Sequence, residues 1–500
     1  MSGMRDDLEI RPPFWTALVA ILVGLAFRLH VIALPTKVLT ARYLSDDYFY
    51  YLNVAYNIAH GHGSSFDGGL TTTNGYQPLF LAAMVGVFLL GAGKIAAIHI
   101  GLIVHAVSAA LASMGVYVLI ARHCLFWSGA LAAGVLSLNL FFIIPTLIGL
   151  EAPLAWACIV FALWCWQTHK PYVIVGIACG IAVLARVDGV ILTAVFGSYL
   201  LYQRRARDFL KLTGAMIAVL SPWIVWSSLR FGSPLPDSGI IKARLRGVEA
   251  AMVSIATVFQ TVPRTLVPAT VVDGTLSTTT ILLSIVSACI LIAAAWEARR
   301  AHNRWLVAFA IAIGASYVLL VDSREPGALV RYLFPLWAAL VMLTAQERLF
   351  RFFWVVALLL ALHAADLATY VRWERTAPTP ATYVGTSQSI APAIIATRVA
   401  PGELIASFDS GSLGYFSPSP VVNLDGLANH DIVALRRRCS GLYADCLRGY
   451  MRAKGIRVLV GGTGFGWTRT FPEWVSWERI YESPPLMDGS TLVFLRLPSQ

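Results

Sequence analysis

Charge is what this sequence has least of. Only 13% of its 500 residues are Asp, Glu, Lys or Arg, against roughly 25% in an ordinary soluble domain, while 57% are hydrophobic. That deficit excludes a chain whose surface is mostly wetted. Acidic residues are the scarcer sign, 27 against 38 basic, giving a net charge of +11. The basic surplus sits in short clusters between apolar runs. This is the positive-inside pattern of a membrane protein, not a nucleic-acid surface. Cysteine is sparse too. Cys124, Cys158, Cys165, Cys179 and Cys289 lie in or beside apolar runs, where thiols serve as packing residues. The other two, Cys439 and Cys446, lie in a polar segment without zinc-ligand spacing. No internal repeat, low-complexity tract or cleavage pattern after the first apolar run is visible, so 14–34 reads as a retained span, not a signal peptide.

Long apolar runs take the place of charge. Residues 14–34, 95–120 and 352–367 are each long enough, or nearly so, to cross a hydrocarbon core of roughly 30 Å at about 1.5 Å per residue. The main basic clusters are Arg204-Arg205-Ala206-Arg207, Arg299-Arg300 with Arg304, and Arg348 with Arg351. Weaker ones are Arg5 with Arg11, Arg122-His123, and Lys170. Placing all of them in the cytoplasm gives about eleven spans: 14–34, 97–121, 126–147, 153–169, 172–187, 189–203, 212–229, 277–297, 305–321, 332–348 and 352–370. The odd count puts the N-terminus in the cytoplasm and the C-terminus outside. Residues 77–93 are apolar enough to cross, but counting them would carry Arg204–Arg207 outside. They are expected as a shallow helix on the outer face.

The expected fold class is an all-α polytopic protein of the cytoplasmic (inner) membrane, with outer-face amphipathic helices and a small C-terminal α/β extracytoplasmic domain. The division is 1–370 for the transmembrane part, with 35–76 as its first outer loop, and 371–500 for the tail. Short buried strands are expected at 404–408, 421–424, 458–460 and 492–495, and helices near 387–399 and 431–454. Cys439 and Cys446 share a compartment that permits disulfides, and a bridge between them is expected. One continuous helix would hold their Cα atoms too far apart, so the bridge requires a break near Gly441.

The first outer loop holds Ser45-Asp46-Asp47-Tyr48-Phe49-Tyr50-Tyr51. Paired carboxylates there suit a general base or a metal ligand, and aromatics suit a sugar face. On composition alone, an interfacial loop of solvated Asp and anchoring Tyr accounts for them better. His60-Gly61-His62 reads as a turn, because His at i and i+2 around Gly makes a poor rigid metal site without a third ligand. Charges recur at the expected outer ends of spans: Glu151, Arg186 with Asp188, Lys242 and Arg331. Ionisable groups at the membrane boundary are costly and point to function. Arg186 and Asp188 also suit a structural ion pair. The shared side of all these residues carries more weight than any one motif.

Taken in order, the motifs are Asp46-Asp47 and Thr73-Asn74-Gly75-Tyr76-Gln77-Pro78-Leu79, then Gly149-Leu150-Glu151 and Arg186-Val187-Asp188-Gly189. Gly232-Ser233-Pro234-Leu235-Pro236 through Lys242 and Arg331-Tyr332-Leu333-Phe334-Pro335 follow. The series resembles the GT-C superfamily of membrane glycosyltransferases. It is most similar to the bacterial branch of cell-wall arabinofuranosyltransferases and protein and lipid A glycosyltransferases. Asn423-Leu424-Asp425-Gly426-Leu427-Ala428-Asn429 also resembles the arabinosyl branch.

The resemblance implies an inverting transfer of sugar from a polyprenyl-phosphate-linked donor to a hydroxyl on a glycan, glycolipid or protein at the outer face. Asp46 is then the expected base, with Asp47 the close second. Lys242 and Arg331 hold the leaving phosphate. Glu151, Arg186, Asp188, Tyr50, Asn74 and Tyr76 bind or support substrate. No cofactor is required, no metal ligands are assigned and a divalent ion is left open. Membrane lipid is a partner and nucleic acid is not. One departure stands out: Asp237-Ser238 follow the second Pro of the Gly232 motif, where relatives often carry amide residues and Thr, and a carboxylate there would repel a phosphate unless turned away. The competing reading is a transporter or flippase for a lipid-linked or polar solute. Such a protein would carry midplane charges and repeated halves.

Overall fold

The computed structural model describes residues 12–123, 125–242, 248–268, 280–300, 303–320, 331–439 and 443–498. Among these, four helices are each long and apolar enough to cross a membrane: Pro12–Ile32, Lys94–Ala121, Ala206–Phe231 and Phe353–Thr376. Phe126–Leu138 and Leu140–Leu147 together form a fifth, bent by 48° between them. Seven shorter apolar helices complete the membrane part. The protein is therefore an all-α, multi-pass membrane protein with a small C-terminal sheet.

A helix stands at every expected span, but not eleven of full length. The reason lies at the motifs. Ala152–Gln167 begins only after Glu151, Tyr172–Ala185 stops before Arg186, and Phe334–Thr344 begins after Arg331-Tyr332. Non-helical backbone is tolerated at such depths only where it lines a cavity or is buried in protein. The helices are thus cut short at Glu151 and Arg186, whereas Arg331 and Tyr332 are helical themselves, ahead of a break at Leu333. The segment 77–93 forms Pro78–Leu89, 12 residues long. At about 1.5 Å per residue it reaches roughly 18 Å, short of a hydrocarbon core.

The bend at Asn139 is held by side chains. Asn139 Oδ1 accepts from the Phe141 amide at 2.9 Å, and its Nδ2 donates to the Arg264 carbonyl at 2.9 Å. A helix break orphans the preceding carbonyls. Arg28, buried on the first span, donates to one of them, Ser137 O, at 2.9 Å, and to Thr146 Oγ1 at 3.0 Å. This intramembrane cation thus serves as a structural clamp.

Phe353–Thr376 runs past residue 370, and the tail's first element, Tyr383–Ser389, follows it. The tail carries β1 (Ile405–Ser407), β2 (Val421–Asn423), β3 (Val458–Gly462), β4 (Glu478–Glu482) and β5 (Leu492–Arg496) in the order β2-β1-β3-β5-β4. β1 pairs in parallel with β2 and β3, and β5 runs antiparallel to β3 and β4. Four of these strands read as apolar runs. β4, Glu-Arg-Ile-Tyr-Glu, did not, because it lies at the edge with its charges exposed. One helix ends at Arg438 and the next begins at Tyr443. A disulfide joins Cys439 to Cys446 with Cα atoms 6.4 Å apart. The expected break at Gly441 falls outside the described residues.

Candidate active site

The motifs expected at the outer ends of spans converge on one cavity of about 410 Å³. Its charged lining comes from four separate stretches: Asp47, Glu151, Arg186 with Asp188, and Arg331. Asp47 sits on the first turn of helix Asp46–Ala59, capped by Ser45, whose hydroxyl accepts from the Asp47 amide at 3.3 Å. Helix N-termini favour carboxylates there. The helix start is pinned to the Gly149 turn by Ser45 N–H donating to Ile148 O at 3.1 Å. Gly149 has φ +82°, and a side chain there would also overlap the Tyr48 ring. That turn brings Glu151 to the Tyr51 hydroxyl, which donates to it at 3.1 Å.

Successive residues on a helix point about 100° apart. The two adjacent carboxylates therefore part company. Asp47 Oδ2 meets Arg331 Nη1 at 2.9 Å inside the cavity. Asp46 turns away from the cavity to the tail. Its oxygens accept from the Gly411 amide at 2.7 Å, the Ser412 amide at 2.7 Å and the Ser412 hydroxyl at 2.6 Å. Burial raises the Asp46 carboxyl above the usual range, and the Ser412 and Gly411 donors oppose this. The structure thus gives Asp46 no place in the cavity and gives that place to Asp47.

Arg186 and Asp188 form an ion pair at 3.1 Å with side chains only 4% and 8% exposed. Tyr317 completes it, accepting from Arg186 at 2.6 Å and donating to Asp188 Oδ2 at 2.6 Å. Arg186 also donates to the carbonyls of Arg331 at 3.2 Å and Tyr332 at 3.0 Å. It therefore fixes the backbone that carries the second guanidinium. Arg331 in turn donates to the Tyr332 hydroxyl at 3.0 Å and lies 4.8 Å over that ring. Its Nε is buried with no hydrogen-bond partner among the described residues.

The remaining expected residues divide. Tyr50 and Tyr76 line the cavity. The Tyr50 hydroxyl is occupied by the Ser410 amide and Asn423 Nδ2, both at 3.0 Å. Asn74 is fully buried and is not part of the lining. It donates to Ser227 at 2.8 Å and accepts from the Asp237 amide at 3.1 Å, tying the first loop to the Gly232 motif. Asp237, the departure from the motif, points away from the cavity to His430 Nδ1 at 2.9 Å. Burial raises its carboxyl while His430 opposes that shift. Lys242 ends the helix Asp237–Lys242, and its side chain lies outside the described structure. His60 stacks on Tyr56, and no group of three metal-binding side chains occurs among the described residues.

Sequence reading missed Tyr51, Gln77, Tyr317, Tyr332 and Leu427, all of which line the cavity. Gln77 is the hub, accepting from the Val187 amide at 3.2 Å while its own amide donates to Tyr51 at 3.2 Å. Tyr317 left one signal, a hydroxyl within an otherwise apolar helix. Leu427 stands in the tail motif over 423–429, but nothing in that motif marked it as reaching the cavity.

A family profile described as "Domain of unknown function (DUF8728)" matches residues 381–493. No curated protein matches the chain in sequence. Solved structures match nearly all of it. ArnT from Cupriavidus metallidurans bound to undecaprenyl phosphate aligns at TM-score 0.57 and 15% identity, over 96% of this chain and 97% of that one. The Archaeoglobus fulgidus oligosaccharyltransferase in the apo form aligns at TM-score 0.54 and 12% identity, over 94% and 72%. The archaeal oligosaccharyltransferase AglB from the same organism, complexed with an inhibitory peptide and a dolichol-phosphate, aligns at 0.53 and 13%, over 98% and 76%. With identities this low the likeness is one of fold: this chain has the fold of the GT-C membrane glycosyltransferases.

Proposed function

We propose that the protein transfers a sugar, with inversion, from a polyprenyl-phosphate carrier to a hydroxyl acceptor at the outer face of the cytoplasmic membrane. The observation that carries this reading is the Asp47–Arg331 pair in a cavity whose charged lining comes entirely from the motifs expected at the outer ends of spans. The acceptor oxygen attacks the anomeric carbon as Asp47 takes its proton. The bond from that carbon to the phosphate oxygen breaks, and the monophosphate leaves with the electron pair. A phosphate needs no proton to depart but needs cations. Arg331 supplies one, in the fork geometry that suits phosphate oxygens.

The charges explain how one pair serves both tasks. An incoming phosphate competes with Asp47 for Arg331. Binding the donor therefore releases the carboxylate where the acceptor must lose its proton. The lining holds three carboxylates, Asp47, Glu151 and Asp188, against two guanidiniums, and Arg186 is committed to Asp188. A dianionic leaving group calls for a further cation, and Lys242 is the proposed second one. Glu151, with Tyr51, is placed to accept from sugar hydroxyls.

The test is direct. Membranes containing the protein are supplied with a panel of polyprenyl-phosphate sugars and assayed for transfer. Transfer from at least one, lost in Asp47→Asn, is the expected result. Absence of transfer from every member, with the protein folded and inserted, contradicts the reading.

A further inference from the structure

Among the described residues, the domain over 381–493 makes polar contact with the first outer loop at four places, one of them Thr40 with Gln388 and Thr382. It grips Asp46 through Gly411 and Ser412, Tyr50 through Ser410 and Asn423, and Asp67 through Asn429 Nδ2 at 2.7 Å. It also approaches backbone to backbone. A methyl group on Gly411 would overlap the Asp46 carbonyl oxygen, and one on Gly75 would overlap the Leu427 carbonyl oxygen. Contacts this close leave no slack, because packed interiors relax only partly when overfilled. The grip falls on the residue immediately before the one that meets Arg331.

We propose that this domain is the positioning half of the transfer site: by holding Asp46 on Gly411 and Ser412, it fixes helix Asp46–Ala59 and so sets Asp47 against Arg331. Asp46 is then a positioning residue, acting through its neighbour. Three donors on one carboxylate outweigh any single exposed contact of the tail. The role given to Asp47 rests on the function proposed above, but the grip itself does not.

Releasing the grip has a signature that simple damage lacks. If the tail holds Asp47 on Arg331, loosening it weakens that pair. A monophosphate then faces less competition for the guanidinium and binds more tightly, while transfer slows. The experiment uses full-length protein in nanodiscs as wild type, Gly411→Ala and Ser412→Ala. Amide exchange over residues 46–52, binding of a polyprenyl monophosphate and sugar transfer are measured on each. Gly411→Ala is expected to raise exchange over 46–52 and to tighten monophosphate binding about threefold or more, at the low end for coupled neighbours. Transfer is expected to fall about 10- to 100-fold, the cost of ångström-scale misplacement. Ser412→Ala removes one donor and keeps both amides, so it should move each readout the same way by less. If Gly411→Ala does not fold, Ser412→Ala decides by the same readouts. Exchange and phosphate affinity both at wild-type values overturn the proposal, as does wild-type transfer alongside raised exchange. If wild type transfers no sugar, the functional reading fails, and exchange with phosphate binding still decides the grip.

Discussion

The two sides of the cavity are built by different physics. On the membrane side, Arg186, Asp188, Tyr317 and the Tyr332 carbonyl are joined by charge-assisted bonds around a buried ion pair. On the tail side, the contacts are backbone amides on carboxylates and glycines pressed against carbonyls. The first arrangement holds charge where the dielectric is low, and it tolerates no missing partner. The second holds shape. Asp47 stands where they meet, with its helix anchored to the tail and its carboxylate on a membrane-side cation. The carboxylate proposed as base and the cation proposed to bind phosphate are thus preset from opposite sides of one cavity.

The largest effect should come from the meeting point itself. Asp47→Asn keeps size and hydrogen bonding but removes basicity, so transfer should fall by about 10²–10⁴. Monophosphate binding should persist or tighten in the same protein, measured separately from turnover. Transfer at the wild-type rate in this variant would return the base to another residue. A smaller loss is expected from Arg331→Lys, which keeps the charge but loses the fork. Removing a preset donor typically costs about 10²–10³ in turnover, and the retained charge should hold the loss below that. Equal loss in Arg331→Lys and Arg331→Ala would mean that geometry, not charge, is what the phosphate uses.

Asp188→Asn probes the membrane side without touching reacting atoms. Breaking a buried pair by removing one partner costs about 3–5 kcal/mol, and Asn, which keeps an acceptor for Tyr317, should fall at or below the low end. The readout is a lower thermal unfolding temperature with transfer reduced less than in Asp47→Asn. Unchanged unfolding would show that the pair is not structural. The smallest perturbation is topological. Reporter enzymes fused after Arg204 and at the end of the tail should report opposite compartments, as the basic clusters require. The same compartment for both would put the cavity on the other face.

Much of this was legible in the chain. Charge scarcity and apolar runs located the membrane helices. Ionisable residues at span ends marked Asp47, Glu151, Arg186, Asp188 and Arg331, because the membrane makes such residues expensive and hence informative. What was hidden depended on direction. Asp46 and Asp47 are indistinguishable as letters, and only the helical rotation between them shows which faces the cavity. Asn74 read as a site residue through the Thr73–Leu79 motif, and in the structure it is a buried brace between two loops. Asp237 read as a repulsive charge until His430, some 190 positions away, gave it a partner. Leu427 and the grip on Asp46 were hidden for the same reason. They join segments more than 350 residues apart, and no local pattern encodes such a contact.

The mechanism we propose has donor phosphate take Arg331 from Asp47. An experimental structure of the protein with a polyprenyl monophosphate tests it most directly. The account predicts the phosphate on the Arg331 guanidinium, with the Asp47 carboxylate parted from it and facing open cavity. A phosphate bound elsewhere, with Asp47 still at its present 2.9 Å from Arg331, would contradict it.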